Sequence, residues 1–346
     1  MKMLDKFLNS YKFYITTTLV VLMCLTTLVI VGFGALNQNL NIAGDVEYSQ
    51  DVGNMIKQYT TSTTTDFHNS TYKEKIISVD FLDNKNVPAS AIGSWDVSVN
   101  NDGKVMAWII DDSDNEGYYK LYIGANGDVV GNTISSYLFY GLKYCKTVSF
   151  NNNFDTSKVT NMSYMFKVDS GSTSRLYNIN GLNNFITSNV TDMGGMFYGC
   201  SRLTTIELSN FNTSNVTNMT DMFRFCQNLT SLDVSHFNTS NVTSMAGMFN
   251  NCISLTSLNL SNFDTSKVKG NITSDYNQSA YAVTGFCQMF CDCRGLTSLD
   301  LASFNTSEAV NMTSMFSGCT NLVVLNLSSF NTVNVGAMNK SFSNQA

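Results

Sequence analysis

From Phe154 onward the apolar positions of this chain recur in a fixed frame. The motif F-N/D-T-S, or a close variant, begins at Phe154, Phe185, Phe211, Phe237, Phe263, Phe304 and Phe330, at spacings of 31, 26, 26, 26, 41 and 26 residues. The period is 26, with insertions of five and fifteen residues at two steps. Self-similarity at such a period marks a repeat architecture, in which each unit buries its apolar face against its neighbours. Inside one unit two shorter periods appear. Val216, Met219, Phe223 and Cys226 stand at i, i+3, i+7 and i+10, which predicts one face of a short helix with Thr217 and Asn218 as caps. Leu229, Leu232 and Val234 then give L-x-x-L-x-V, which predicts a strand. The expected fold class is therefore a repeat solenoid, leucine-rich-repeat-like, with a β-strand and a short helix per coil. The hydroxyls of the Thr-Ser column (Thr213, Ser214, Thr239, Ser240) are expected to bond turn backbone that would otherwise be buried unpaired.

Upstream the pattern changes. Short β-rich runs, "IISVDFL", "SWDVSV", "GKVMAWII" and "YYKLYIG", are separated by turn sequences at 100–103, 114–117 and 125–127. The stretch "SSYLFYGLKYCKTVSFNNNF" (135–154) resembles the second half of a repeat. Residues 75–153 thus read as a β-rich capping domain over the first coil, and 154–346 as about seven units. Residues 37–74 are polar and Thr-rich, and read as a stalk. Before them, Ile15–Phe33 is a 19-residue apolar run with no charge from Phe13 to Gly44. That length approaches the roughly 20 residues that span a bilayer. Lys2, Lys6 and Lys12 precede it and Asp45 and Glu47 follow, so the expectation is a single transmembrane helix within 1–36, contacting the membrane through residues 14–34. The N-terminus would lie inside and the remainder on the cell surface. Cleavage as a signal, giving a secreted protein, is the alternative.

Composition narrows the function classes. Charged residues make up 13% of the chain and the net charge is −6, so the basic stripe that nucleic acid requires is missing. Only two histidines occur, and no Ser/His/Asp order, G-x-S-x-G, phosphate loop or H-E-x-x-H is present. An enzyme is not expected, nor a cofactor. Five of the nine cysteines (Cys200, Cys226, Cys252, Cys293, Cys319) share one repeat offset without C-x-x-C or histidine partners, so no metal site is expected. They read as a buried ladder of thiols or as disulfide partners, with Cys287 and Cys291 standing outside the ladder as the better disulfide candidates.

The units "FNTSNVTNMTDMFRFCQNLTSLDVS" resemble those of the BspA-type leucine-rich-repeat surface proteins of bacteria, met also as mycoplasma lipoprotein-associated repeats. The resemblance spans about 94–346. It implies a cell-surface protein of the adhesin or binding class, whose partner would be a host, neighbour-cell or matrix protein or a glycan. The candidate ligand column is the residue between the last two apolar strand positions, Glu207, Asp233, Asn259, Asp300 and Asn326, flanked by Thr and Ser. Tyr276 and Tyr281 in the fifteen-residue insertion form a second candidate, since inserted loops carry adaptable contact residues. The alternative is a structural or self-assembling envelope protein that associates through its C-terminal end, where no polar cap is evident.

Overall fold

In the computed structural model, residues 52–59, 68–168, 174–271, 284–336, 338 and 341–342 are described. The chain divides into two units, Met1–Asp51 and Val52–Ala346, and everything below concerns the second. Its alternating run IISVDFL forms strand β1 (Ile76–Leu82), with Val79 and Phe81 inward and Ser78 and Asp80 outward. Strands β2 (Gly93–Asp96), β3 (Val105–Asp111) and β4 (Tyr119–Ala125) follow, joined by the turns that the Asn/Asp/Gly clusters predict. The Asp96 carboxylate fixes the first turn by accepting the Ser98 and Gly103 amides, each at 2.8 Å. Next come β5 (Val129–Val130), β6 (Thr147–Ser149), β7 (Phe154–Asp155) and β8 (Asn178–Asn180). One mixed sheet runs β2-β3-β4-β1-β6-β8: β3 is antiparallel to β2 and β4, whereas β1 is parallel to β4 and β6, and β6 to β8. The sheet therefore passes without a break from the leading segment into the repeats. Part of the stretch read as a stalk is packed here too. Ile56 and His68 are fully buried, and Met55 bridges to Val130.

The repeats are built differently from the expectation. The described fold is mostly sheet and nearly helix-free, a mixed-sheet fold with only two three-residue 3-10 turns, Lys73–Lys75 and Leu182–Asn184. A solenoid with a helix per coil is therefore not what forms, and the leucine-rich-repeat-like fold class is corrected on that finding. In the run 216–226, Met222 and Cys226 donate to the carbonyls three residues back, Met219 and Phe223, at 3.3 and 3.1 Å. These are successive turns, each reset by a left-handed residue: Asp221 (φ 57°) and then Phe225 (φ 61°). The amides between them point out of the unit. Met219, Asp221, Phe223 and Phe225 donate to Ser244, Ala246, Met248 and Asn250, each 25 residues ahead, at 2.8–3.1 Å. Two turns in series place the same side chains inward as a helix would, so the i, i+3, i+7 pattern holds while its backbone reading fails. Asn218, expected as a helix cap, instead accepts the Thr220 amide and donates to the Asp192 carboxylate. The left-handed column is also why the unit reads Tyr164, then Gly195: a Cβ on Gly195 would stand 2.1 Å from the Tyr164 ring.

Each residue of F-N-T-S-N has one structural duty. Phe211 is core, Asn212 accepts the Ser214 amide across the turn, and Asn215 Nδ2 donates to the Ser188 carbonyl of the preceding unit at 2.7 Å. Thr213 Oγ1 is buried and donates to the Asn238 carbonyl of the next unit at 2.9 Å. The same bond recurs from Thr187, Thr239, Thr265 and Thr306, as the hydroxyl column predicts. Thr213→Val keeps the shape but strands that carbonyl in a dry interior. It is expected to destabilise the protein by about 1–3 kcal/mol in denaturant unfolding, and a change inside experimental error would remove the threonine column from this account. The second strand run is a hydrogen-bonded ladder at β9 (Ser298–Asp300) and β10 (Val324–Asn326), which pair in parallel. In the inner ladder, Phe139, Phe166, Phe197, Phe223, Phe249, Phe290, Phe316 and Phe342 stack with centroids 5.1–5.9 Å apart. The fifteen-residue insertion does not break the register. Met245, Gly247 and Phe249 find Gly285, Cys287 and Met289, 40 residues ahead instead of 25.

The single-pass membrane reading and the cell-membrane location drawn from it are likewise not upheld. No helix among the described residues is long and apolar enough to cross a membrane, and Ile15–Phe33, on which the reading rested, lies outside them.

Candidate functional site

The outward residue of the second strand run forms a column at one-unit spacing. Glu207, Asp233, Asn259 and Asp300 are exposed and Asn326 is half-buried. Every one of them accepts the amide two residues on, from Ser209, Ser235, Ser261, Ala302 and Ser328, at 3.0–3.2 Å. The column therefore closes the turn that leads into the next F-N-T-S, a duty that any short side chain with a terminal oxygen can perform. This explains why acid and amide alternate there. The Ser235 hydroxyl adds a second bond to Asp233, and the hydroxyl and amide of Ser235 hold that carboxyl below its ordinary range. Glu207 is lowered in the same way by Ser209. Each carboxylate is thus ionised at neutral pH with one oxygen turned to the backbone. Thr204, Thr205, Thr230, Ser231, Thr256, Ser257, Thr297 and Ser298 beside it are all exposed. A groove of about 210 Å³ opens between Asn259 and Asp300, floored by Leu258 and Leu260 and rimmed by Ser261 and Ser303.

The column extends further than the repeat frame suggests. Parallel pairing sets Asp80 of β1 beside Ser149 of β6, and Ser149 beside Asn180 of β8, with Asn180 Nδ2 bonded to the Ser149 hydroxyl at 3.1 Å. Asp80 is partly buried, and that burial pushes its carboxyl up against the bonds from Ser78, Asn151 and Ser149 and the charge of Lys120. The signal was present in "IISVDFL", where Asp80 takes an outward position of the alternation. Sequence periodicity within the repeats could not reach it, because β1 lies outside them.

A second cluster was also missed. Lys167 Nζ lies 5.3–5.9 Å from the ring centroids of Tyr137, Tyr140, Tyr164 and Tyr198. Tyr137 and Tyr164 stack at 5.0 Å. Beside it on the same turn column, Arg224 pairs with buried Asp221 at 3.1 Å and reaches Gln288 at 3.3 Å. Burial raises the Asp221 carboxyl, opposed by Arg224. The protein's own cations fill this face, so it is a cross-unit brace.

The remaining candidates resolve as follows. The ladder thiols of Cys200, Cys226, Cys252, Cys293 and Cys319 are buried, and each donates to a phenylalanine carbonyl of the preceding unit at 2.9–3.3 Å. All eight described cysteines, Cys287 and Cys291 included, are free, and burial pushes both of those thiols up to about 12. No group of three or more His, Cys, Asp or Glu among the described residues could hold a metal. His236 is exposed, with Nε2 3.0 Å from the Leu208 carbonyl. Tyr276 and Tyr281 lie outside the described residues.

A family model described as a Mycoplasma protein of unknown function, DUF285, matches three times, over residues 134–175, 170–281 and 270–346. The first match begins within the segment read as the second half of a repeat. There Ser135, Tyr137 and Phe139 donate to Asn161, Ser163 and Met165, as one unit does to the next. No curated protein and no solved structure matches the chain. The matches do not show a BspA-type or leucine-rich-repeat family, and they cover more than half of the sequence: the chain belongs to DUF285, a Mycoplasma protein family of unknown function.

Proposed function

We propose that the chain is a non-enzymatic binding protein of the adhesin class implied by its resemblance to BspA-type repeats, with a protein or glycan ligand held on the outward strand column. The observation that carries this reading is the exposed double row of hydroxyls and carboxylate or amide groups, repeated at about the 4.8 Å spacing of neighbouring strands. Short hydroxyl and amide side chains with a few carboxylates suit sugar hydroxyls or an extended peptide, and the groove between Asn259 and Asp300 offers an apolar floor beneath polar edges. Catalysis finds no comparable support. His68 is fully buried, and desolvation, together with the nearby Lys73, lowers its pKa to about 3.

The test is binding of the full-length chain to arrays of glycans and extracellular-matrix proteins, followed by Asp233→Asn with Asp300→Asn. Asparagine already fills this turn position at Asn259 and Asn326, so the fold is expected to be unchanged. A ligand held by the column should lose at least about tenfold in affinity, a difference of about 1.4 kcal/mol. Saturable binding that both substitutions leave untouched would place the ligand elsewhere.

A further inference from the structure

Three outward positions change character only in the last unit. Where other units carry Thr204, Thr230, Thr256 and Thr297, this one has Val323, 84% exposed. Thr205, Ser231, Ser257 and Ser298 are answered by Val324, 61% exposed. Ser214, Ser240, Ser266 and Ser307 are answered by Val333, 86% exposed. Each of these columns is hydroxyl wherever water is its only neighbour. The end face beside them is apolar as well: a cavity of about 230 Å³ opens there, lined by Met312, Met315, Phe316, Leu327, Phe330 and Phe342. An exposed apolar surface of this extent, placed where the same fold elsewhere chooses hydroxyls, marks an interaction surface.

Charge and topology select the occupant. No Asp, Glu, Lys or Arg occurs from Ala309 to Gly336, in a chain of net charge −6. A basic or acidic partner would find nothing to pair with on this face. Two copies of the chain, which repel elsewhere, can meet here without like charges opposed. The opposite end of the array cannot complete the contact, because β6 is already paired with β1, and that sheet continues through β4 into antiparallel β3 and β2. β10, by contrast, is paired on one side only, with β9. We infer that the chain forms a two-fold, tail-to-tail dimer through this face, with β10 antiparallel to its counterpart and the six valines of the pair buried between them. A two-fold contact closes on itself, so assembly stops at two copies instead of growing into filaments. This surface is separate from the column proposed for ligand.

The experiment is sedimentation velocity of the full-length chain over a wide concentration range, beside the variant Val323→Thr, Val324→Ser and Val333→Ser. Those residues are the ones the other units carry, so the variant should melt with the wild type. The expected result is a reversible wild-type dimer and a dissociation constant raised by about a hundredfold or more in the variant. A wild-type chain that stays monomeric, a variant that dimerises equally well, or open-ended growth with concentration would each overturn the inference.

Discussion

Phe223→Ala is expected to destabilise the protein by about 3–5 kcal/mol, whereas Phe342→Ala should cost under about 1 kcal/mol. The two residues belong to one ladder and differ in what surrounds them. Phe223 is fully buried, with Phe197 at 5.7 Å and Phe249 at 5.9 Å, interplanar angles 3° and 6°. Removing its ring empties a site whose walls are the rings of the adjacent units and the Met219 and Met248 side chains' ladders, none of which can close in without breaking the amide bonds that set the spacing between units. Two ring contacts are lost as well, each worth about 0.5–1.5 kcal/mol beyond burial. Phe342 touches only Phe316 and is 52% exposed, so its removal leaves little cavity. Equal destabilisation at both positions in denaturant titrations would show that the ladder is not what holds the units together.

The second large effect concerns a single methyl. Gly199 has φ +76°, and a Cβ there would lie 2.1 Å from the Val168 carbonyl oxygen. That oxygen is backbone, so it cannot swing aside as a side chain would. Gly199→Ala is expected to cost about 3 kcal/mol or more, the sum of a left-handed alanine and an overpacked contact. Gly318 occupies the same position in a later unit, φ +73°, but its nearest neighbour is the Asp292 carboxylate, a side chain that can rotate. Gly318→Ala should cost about 1 kcal/mol. Thermal melts of the two variants decide it, and a Gly199→Ala protein as stable as the Gly318→Ala one would contradict the packing described.

How much of this was legible beforehand follows from what periodicity encodes. The 26-residue frame located the inward residues, the threonine bonds and the strand ending in β9 and β10, because these depend on which side chains face the core. It could not distinguish a helix from two turns in series, since both put Val216, Met219, Phe223 and Cys226 on one side. The clue lay in the outward positions: Tyr164, Gly195, Asp221 and Gly247 form a column in which glycine alternates with a larger residue, as left-handed backbone with side chains resting on the next unit requires. The candidate column Glu207 to Asn326 was located correctly in space, yet its turn-closing duty was invisible, because that duty depends on an amide two residues away and not on the spacing between units. Lys167 among its tyrosines was missed because the rings come from units of unequal length. Asp80 was missed because it joins the column from β1, outside the repeat.

The central claim is that the methionine–phenylalanine run spends its outward amides on the neighbouring unit and not within a helix. The direct measurement is the scalar coupling across hydrogen bonds by nuclear magnetic resonance, observed from the Phe223 amide nitrogen. The account predicts a coupling to the carbonyl carbon of Met248, 2.9 Å away from nitrogen to oxygen, with matching couplings from Asp221 to Ala246 and from Phe225 to Asn250. A coupling from Phe223 to Met219, the residue four back that an α-helix would use, would contradict it.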